Sequence, residues 1–168
     1  MRTLAALALA LSFVPGAVHA AEGDLERVRG CITAAADIYR LPPAVLVILL
    51  DVEGGALGRV TRNANGTVDI GPMQVNQIWL PRIAAHWRAS EAAARLALRD
   101  DFCANLEGGA WILRQAIDEA HGDFWAGVGL YHSHDPDYRS AYLRQVLREA
   151  LRLQDQAART RIASQAGG

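Results

Sequence analysis

The chain has 168 residues, about half of them apolar, with 17 basic side chains against 18 acidic ones. That is one domain's worth of sequence with a sizeable core. The near-neutral balance argues against a nucleic-acid binder, which shows a net basic face. All the basic residues are Arg and none is Lys, a pattern read as GC-rich coding bias rather than chemistry.

Met1 and Arg2 begin a short positive region. Leu4 to Val14 is almost unbroken apolar sequence, ended by Pro15-Gly16. Val18-His19-Ala20 then offers small residues where a signal peptidase reads, so residues 1–20 are expected to be a signal peptide that sends the chain to the periplasm. The apolar run is about half the roughly 20 residues of a membrane span; a retained anchor is the alternative. The mature domain is then 21–163, with a fraying tail at 164–168. Loss of Arg2 leaves 16 basic against 18 acidic residues, a balance of −2. Two cysteines remain, Cys31 and Cys103. An even count in an exported chain favours a disulfide, which would stabilise the fold by about 4 kcal/mol in the chain-entropy model. Two separate buried thiols are the other reading.

Asp24 is placed to cap a first helix through about Tyr39, with Leu25, Val28, Ile32, Ala35 and Ala36 as its stripe. Pro42 and Pro43 suit the first turn of a second helix, which Gly54-Gly55 stop. That helix is apolar on all sides and is expected to be central. From Thr61 to Asp69, Asn65-Gly66 sits between two short arms, the strongest local hairpin signal. A turn through Ile70 to Asn76 leads into a helix near 77–87. Residues 101–120 read as a long helix, Phe124 to Tyr131 as a short apolar one, and Tyr138 to about Arg161 as an amphipathic one. The fold class is α+β, mainly α, with a small β-hairpin.

Glu53 carries the chemistry. It is a carboxylate in the last turn of an otherwise apolar helix. Burial and the negative pole of the helix C-terminus both disfavour its charged form. A carboxyl kept protonated near neutral pH can act as general acid in glycosidic cleavage. Gly54 and Gly55 are expected to leave open space beside it.

Glu53-Gly54-Gly55, the turn at Asn63 to Asp69, Gly71-Pro72-Met73-Gln74 and Tyr131-His132-Ser133 follow one another in the order and spacing of a known domain. The chain resembles the soluble lytic transglycosylase family over roughly Cys31 to Ser133, and within it the small branch that accompanies conjugation and secretion machines. Cys31 and Cys103 sit where that branch places its cysteines. Gly54 stands where the family usually has Ser, and His132 where Asn is more common. The resemblance implies a lysozyme-like fold and cleavage of the β-1,4 bond between N-acetylmuramic acid and N-acetylglucosamine. It implies Glu53 as catalytic acid and then base. Met73, Gln74, Tyr131 and His132 are implied at the glycan, with Tyr131 also hydrogen-bonded to Glu53. Peptidoglycan strands and components of a trans-envelope secretion or conjugation machine are the implied partners. No metal or organic cofactor is implied.

Asn63 to Asn76 also resembles the hairpin of animal-type lysozymes, whose second catalytic carboxylate falls at Asp69. An ionised Asp69 would stabilise oxocarbenium character or act as nucleophile; a turn residue bonding backbone amides is the other reading. His132, His134, Asp135 and Asp137 lack a recognised metal spacing and read as loop polarity. Asp51 lies on another side of the helix from Glu53. Of Trp79, Trp87, Trp111 and Trp125, one or two at most are expected to meet sugar.

Overall fold

The computed structural model describes residues 16–166, with side chains from residue 23 onward. The apolar run at Leu4–Val14 lies outside the described residues. The fold is mostly helical: α1 (Gly16–Tyr39), α2 (Pro43–Glu53), α3 (Leu80–Trp87), α4 (Glu91–Asp100), α5 (Phe102–Glu119), α6 (Phe124–His132) and α7 (Pro136–Ala166). Three short strands, β1 (Val60–Arg62), β2 (Val68–Ile70) and β3 (Val75–Asn76), form one antiparallel sheet in that order. Among the described residues no single helix is long and apolar enough to cross a membrane.

α5 is the central element. It packs Leu106, Ala110, Leu113 and Ile117, all buried, against Ala35 and Ala36 of α1, Val128 of α6 and Met73. Two small residues on its surface, Gly108 and Gly109, admit close neighbours; a Cβ at Gly109 would stand 2.9 Å from the Met73 side chain. Leu46 and Leu49 of α2 are fully buried, as the all-apolar helix requires. The stripe expected on α1 is buried only at its C-terminal end: Ala35 and Ala36 are inside, while Leu25 is 58% exposed. α1 also begins before Asp24, at Gly16, so Asp24 caps nothing.

Cys31 of α1 and Cys103 of α5 lie at disulfide distance with their Cα atoms 5.2 Å apart. A polar node joins the same two helices to α3. Glu107 accepts from the Tyr39 hydroxyl, from Trp87 Nε1 at 2.5 Å, and faces His86 Nε2 at 3.2 Å. Partly buried carboxylates persist where such donors surround them.

The hairpin forms where Asn65-Gly66 placed it, with Val60 opposite Ile70, Thr61 opposite Asp69 and Arg62 opposite Val68. Two elements exceed the sequence reading. β3 adds a third strand, pairing Asn76 with Asp69 and Val75 with Ile70. α4, capped by Ser90 Oγ on the Ala93 amide, fills a stretch to which the sequence reading assigned no element. α7 runs to Ala166, through residues expected to fray.

Candidate active site

Local structure explains how Glu53 is presented. α2 opens with Pro43 and closes at Gly54, which adopts φ 60° and donates its N–H to the Leu50 carbonyl. Only a residue tolerant of the left-handed region ends a helix this way without strain. Glu53 is thereby the last helical residue and lines a cleft of about 420 Å³. Its Oε1 accepts a hydrogen bond of 2.5 Å from the Tyr142 hydroxyl. Burial pushes the Glu53 carboxyl up to about 7; the Tyr142 hydrogen bond opposes this and the nearby charge of Asp69 adds to it. The group therefore sits where it can both give and take a proton near neutral pH.

Asp69 occupies the middle strand of the sheet, opposite Thr61 on one side and Asn76 on the other. Asn63 Nδ2 donates to its Oδ2 at 2.9 Å, and Asn76 Nδ2 to its Oδ1 at 2.7 Å. Each of those amides also donates to Thr67 Oγ1 at 3.0 Å, and Thr67 Oγ1 in turn donates to Asn65 Oδ1 at 2.8 Å. Both carboxylate oxygens of Asp69 are thus acceptors held by side chains that are themselves held. Asp69 is no free turn residue: its partners are two amide side chains, Asn63 in the hairpin loop and Asn76 on β3, and it shares the cleft with Glu53.

The residues expected at the glycan divide. Gln74, Tyr131 and His132 line the cleft. Met73 does not: it is fully buried and packs against Gly109 of α5. The reason is the backbone. Gln74 takes φ 46°, which sends its side chain toward the cleft while the preceding side chain turns into the core. Tyr131 is not the partner of Glu53; its hydroxyl donates to the Met73 carbonyl at 3.0 Å. That contact makes it a brace for the Gly71–Gln74 turn, and its ring forms part of the cleft wall. The partner of Glu53, Tyr142, comes from α7. His132 stacks on the Tyr142 ring with centroids 4.3 Å apart and planes 3° apart. Burial draws the His132 pKa below its ordinary value against the pull of Asp69.

The space expected beside Gly55 is filled. A Cβ there would lie 2.1 Å from the Gly71 carbonyl oxygen and 2.7 Å from Gln74 Nε2, so Gly55 allows the turn after β2 to press against the end of α2. Asn105, which the sequence reading passed over, locks that turn from below. It is fully buried on α5. Its Oδ1 accepts from the Met73 amide at 2.7 Å, and its Nδ2 donates to the carbonyls of Ile70 and Leu98 at 2.8 Å each.

The remaining candidates fall elsewhere. His134 pairs with Glu119 at 2.7 Å, and Asp135 caps α7 by accepting from the Asp137 amide at 2.9 Å. Among the described residues no group of three or more His, Cys, Asp or Glu is placed to hold a metal ion. Asp51 pairs with Arg152 at 3.0 Å. Of the tryptophans, Trp79 lines the cleft; Trp87 is tied to Glu107, and Trp111 meets Trp79 edge-on.

Tyr142→Phe keeps the ring against His132 and removes only the hydroxyl. Because that hydrogen bond favours the charged form of Glu53, its loss is expected to move the basic limb of the kcat–pH profile to higher pH. A drop in kcat of about tenfold should accompany the loss of orientation. A profile that keeps its position would mean that Tyr142 serves packing alone. No protein-family model matches the chain, and no curated protein matches it either.

Proposed function

We propose that this chain is an exported peptidoglycan lytic transglycosylase with a lysozyme-like fold, cleaving the β-1,4 bond between N-acetylmuramic acid and N-acetylglucosamine. The observation that carries the reading is the state of Glu53: a cleft-lining carboxyl with its pKa raised to about 7 by burial and set by Tyr142. Protonated Glu53 donates to the glycosidic oxygen as the bond to the anomeric carbon breaks. The carboxylate that results takes the proton of the muramyl 6-hydroxyl, whose oxygen closes on the anomeric carbon to give a 1,6-anhydro end. No water is consumed, and Glu53 regains its proton. Asp69 supports the positive charge that develops on the sugar ring. Gln74, Tyr131 and His132 hold the glycan. Local wall opening for a conjugation or secretion apparatus is the purpose proposed, and it rests on the motif resemblance alone.

The two-amide clamp on Asp69 favours a second reading, a hydrolytic muramidase in which Asp69 is a full catalytic partner of Glu53. Mass spectrometry of muropeptides released from purified peptidoglycan by residues 21–168 separates the two. Anhydro ends establish the transglycosylase, and Asp69→Asn then costs little. Reducing ends, heavier by one water, establish the hydrolase, and Asp69→Asn then removes nearly all turnover. Absence of any released fragment would sink both and favour a glycan-binding subunit.

A further inference from the structure

The cleft holds two carboxylates; its lining includes no arginine or lysine, and burial draws the pKa of its one imidazole, His132, below the ordinary value. Such a surface repels an anionic ligand unless a cation is fixed close by. One is. Arg82 of α3 places its guanidinium carbon 4.5 Å from the ring centroid of Trp79, a cleft-lining residue, and 5.5 Å from that of Trp111. The two indoles brace each other edge to face at 6.0 Å, so the cation rests on a rigid platform. Among the described residues Arg82 has no carboxylate partner. Its one side-chain hydrogen bond is a long 3.4 Å contact to Gln115 Oε1. Contact with an indole face leaves the outer edge of a guanidinium free, and that edge is a fork of N–H groups matched to a carboxylate.

We infer that Arg82, held on Trp79 and Trp111, forms a carboxylate-binding site at the wall of the cleft that selects acidic glycan strands over neutral ones. The inference rests on the glycan reading above and deepens it. Two sources present the same chemistry: the free lactyl carboxylate of a peptide-free strand, and the carboxylates of a peptide stem where the lactyl group is amide-linked.

The test is calorimetric binding in a Glu53→Gln background, so that no ligand is consumed. The probes are a neutral chitin hexamer, peptide-free peptidoglycan strands and stem-bearing strands. Arg82→Gln is expected to weaken binding of carboxylate-bearing strands about tenfold and to leave the chitin hexamer unchanged. Arg82→Lys, which keeps the charge without the fork, should recover part of the loss. Loss confined to peptide-free strands assigns the lactyl carboxylate; loss confined to stem-bearing strands assigns the stem. An equal loss on all three ligands, or no loss on any, overturns the inference while the glycan reading stands. A parent protein that binds none of the three overturns both.

Discussion

Glu53→Gln is expected to lower kcat on peptidoglycan about 1000-fold, the scale of a missing general acid–base group, while the variant folds and binds glycan as before. The substitution keeps the shape and still accepts from Tyr142, so the loss isolates the proton. The same variant makes an opposite prediction for stability. In the folded chain Glu53 holds its proton up to about pH 7, whereas its ordinary value is 4.5. Between those values the folded state binds a proton that the unfolded state has released. Glu53 therefore contributes stability that is fully present below its ordinary value and is lost as pH rises through the folded one, about 3 kcal/mol in all. Gln carries no such dependence. The melting temperature of Glu53→Gln relative to the parent should rise between about pH 5 and pH 8, by several degrees for a domain of this size. Equal turnover by the two proteins would remove Glu53 from the chemistry. A melting-temperature difference flat with pH would mean that its carboxyl is solvated after all.

The largest structural effect is expected at Asn105. Asn105→Ala leaves the Met73 amide and the carbonyls of Ile70 and Leu98 without their side-chain partner. Buried polar groups stripped of a partner cost roughly 1–3 kcal/mol each, so the variant should lose about 4 kcal/mol and melt about 10 °C lower. Activity should fall even well below the melting point, because the turn that Asn105 pins also carries Gln74. A shift of only a degree or two would mean that water replaces the amide and that the turn holds itself.

Much of this arrangement was legible in the sequence because it is local. Pro42-Pro43 and Gly54-Gly55 bracket α2 within a residue or two, and Asn65-Gly66 marks the hairpin. Those signals bring Glu53, Asp69 and Gln74 to one cleft. What was not legible depends on which side chain a distant backbone happens to meet. Tyr142 has the spacing of an ordinary amphipathic helix and gives no sign of its hydroxyl's partner. Asn105 reads as one polar residue on a core helix until the turn against it is known. Met73 and Gln74 are adjacent, and nothing in the sequence marks the first as facing the core and the second the cleft. Gly55 looked like vacancy because a missing side chain says nothing about what fills its place. α4 is rich in Ala and Arg, and its two buried residues, Ala94 and Leu98, made too weak a stripe to stand out.

The hydrogen bond between Glu53 and Tyr142 spans 89 positions of chain, and this gives the protein an order of assembly. Contacts so far apart form late, after the loop between them has been closed by nearer ones. A chain emerging N-terminus first presents α2, the sheet and α5 before α7 exists to supply the tyrosine. Until then the carboxyl of Glu53 lacks its donor and the cleft lacks the wall built from His132 on Tyr142. A chain truncated before the last helix therefore keeps the Glu53 carboxyl but not the tyrosine hydroxyl that orients it.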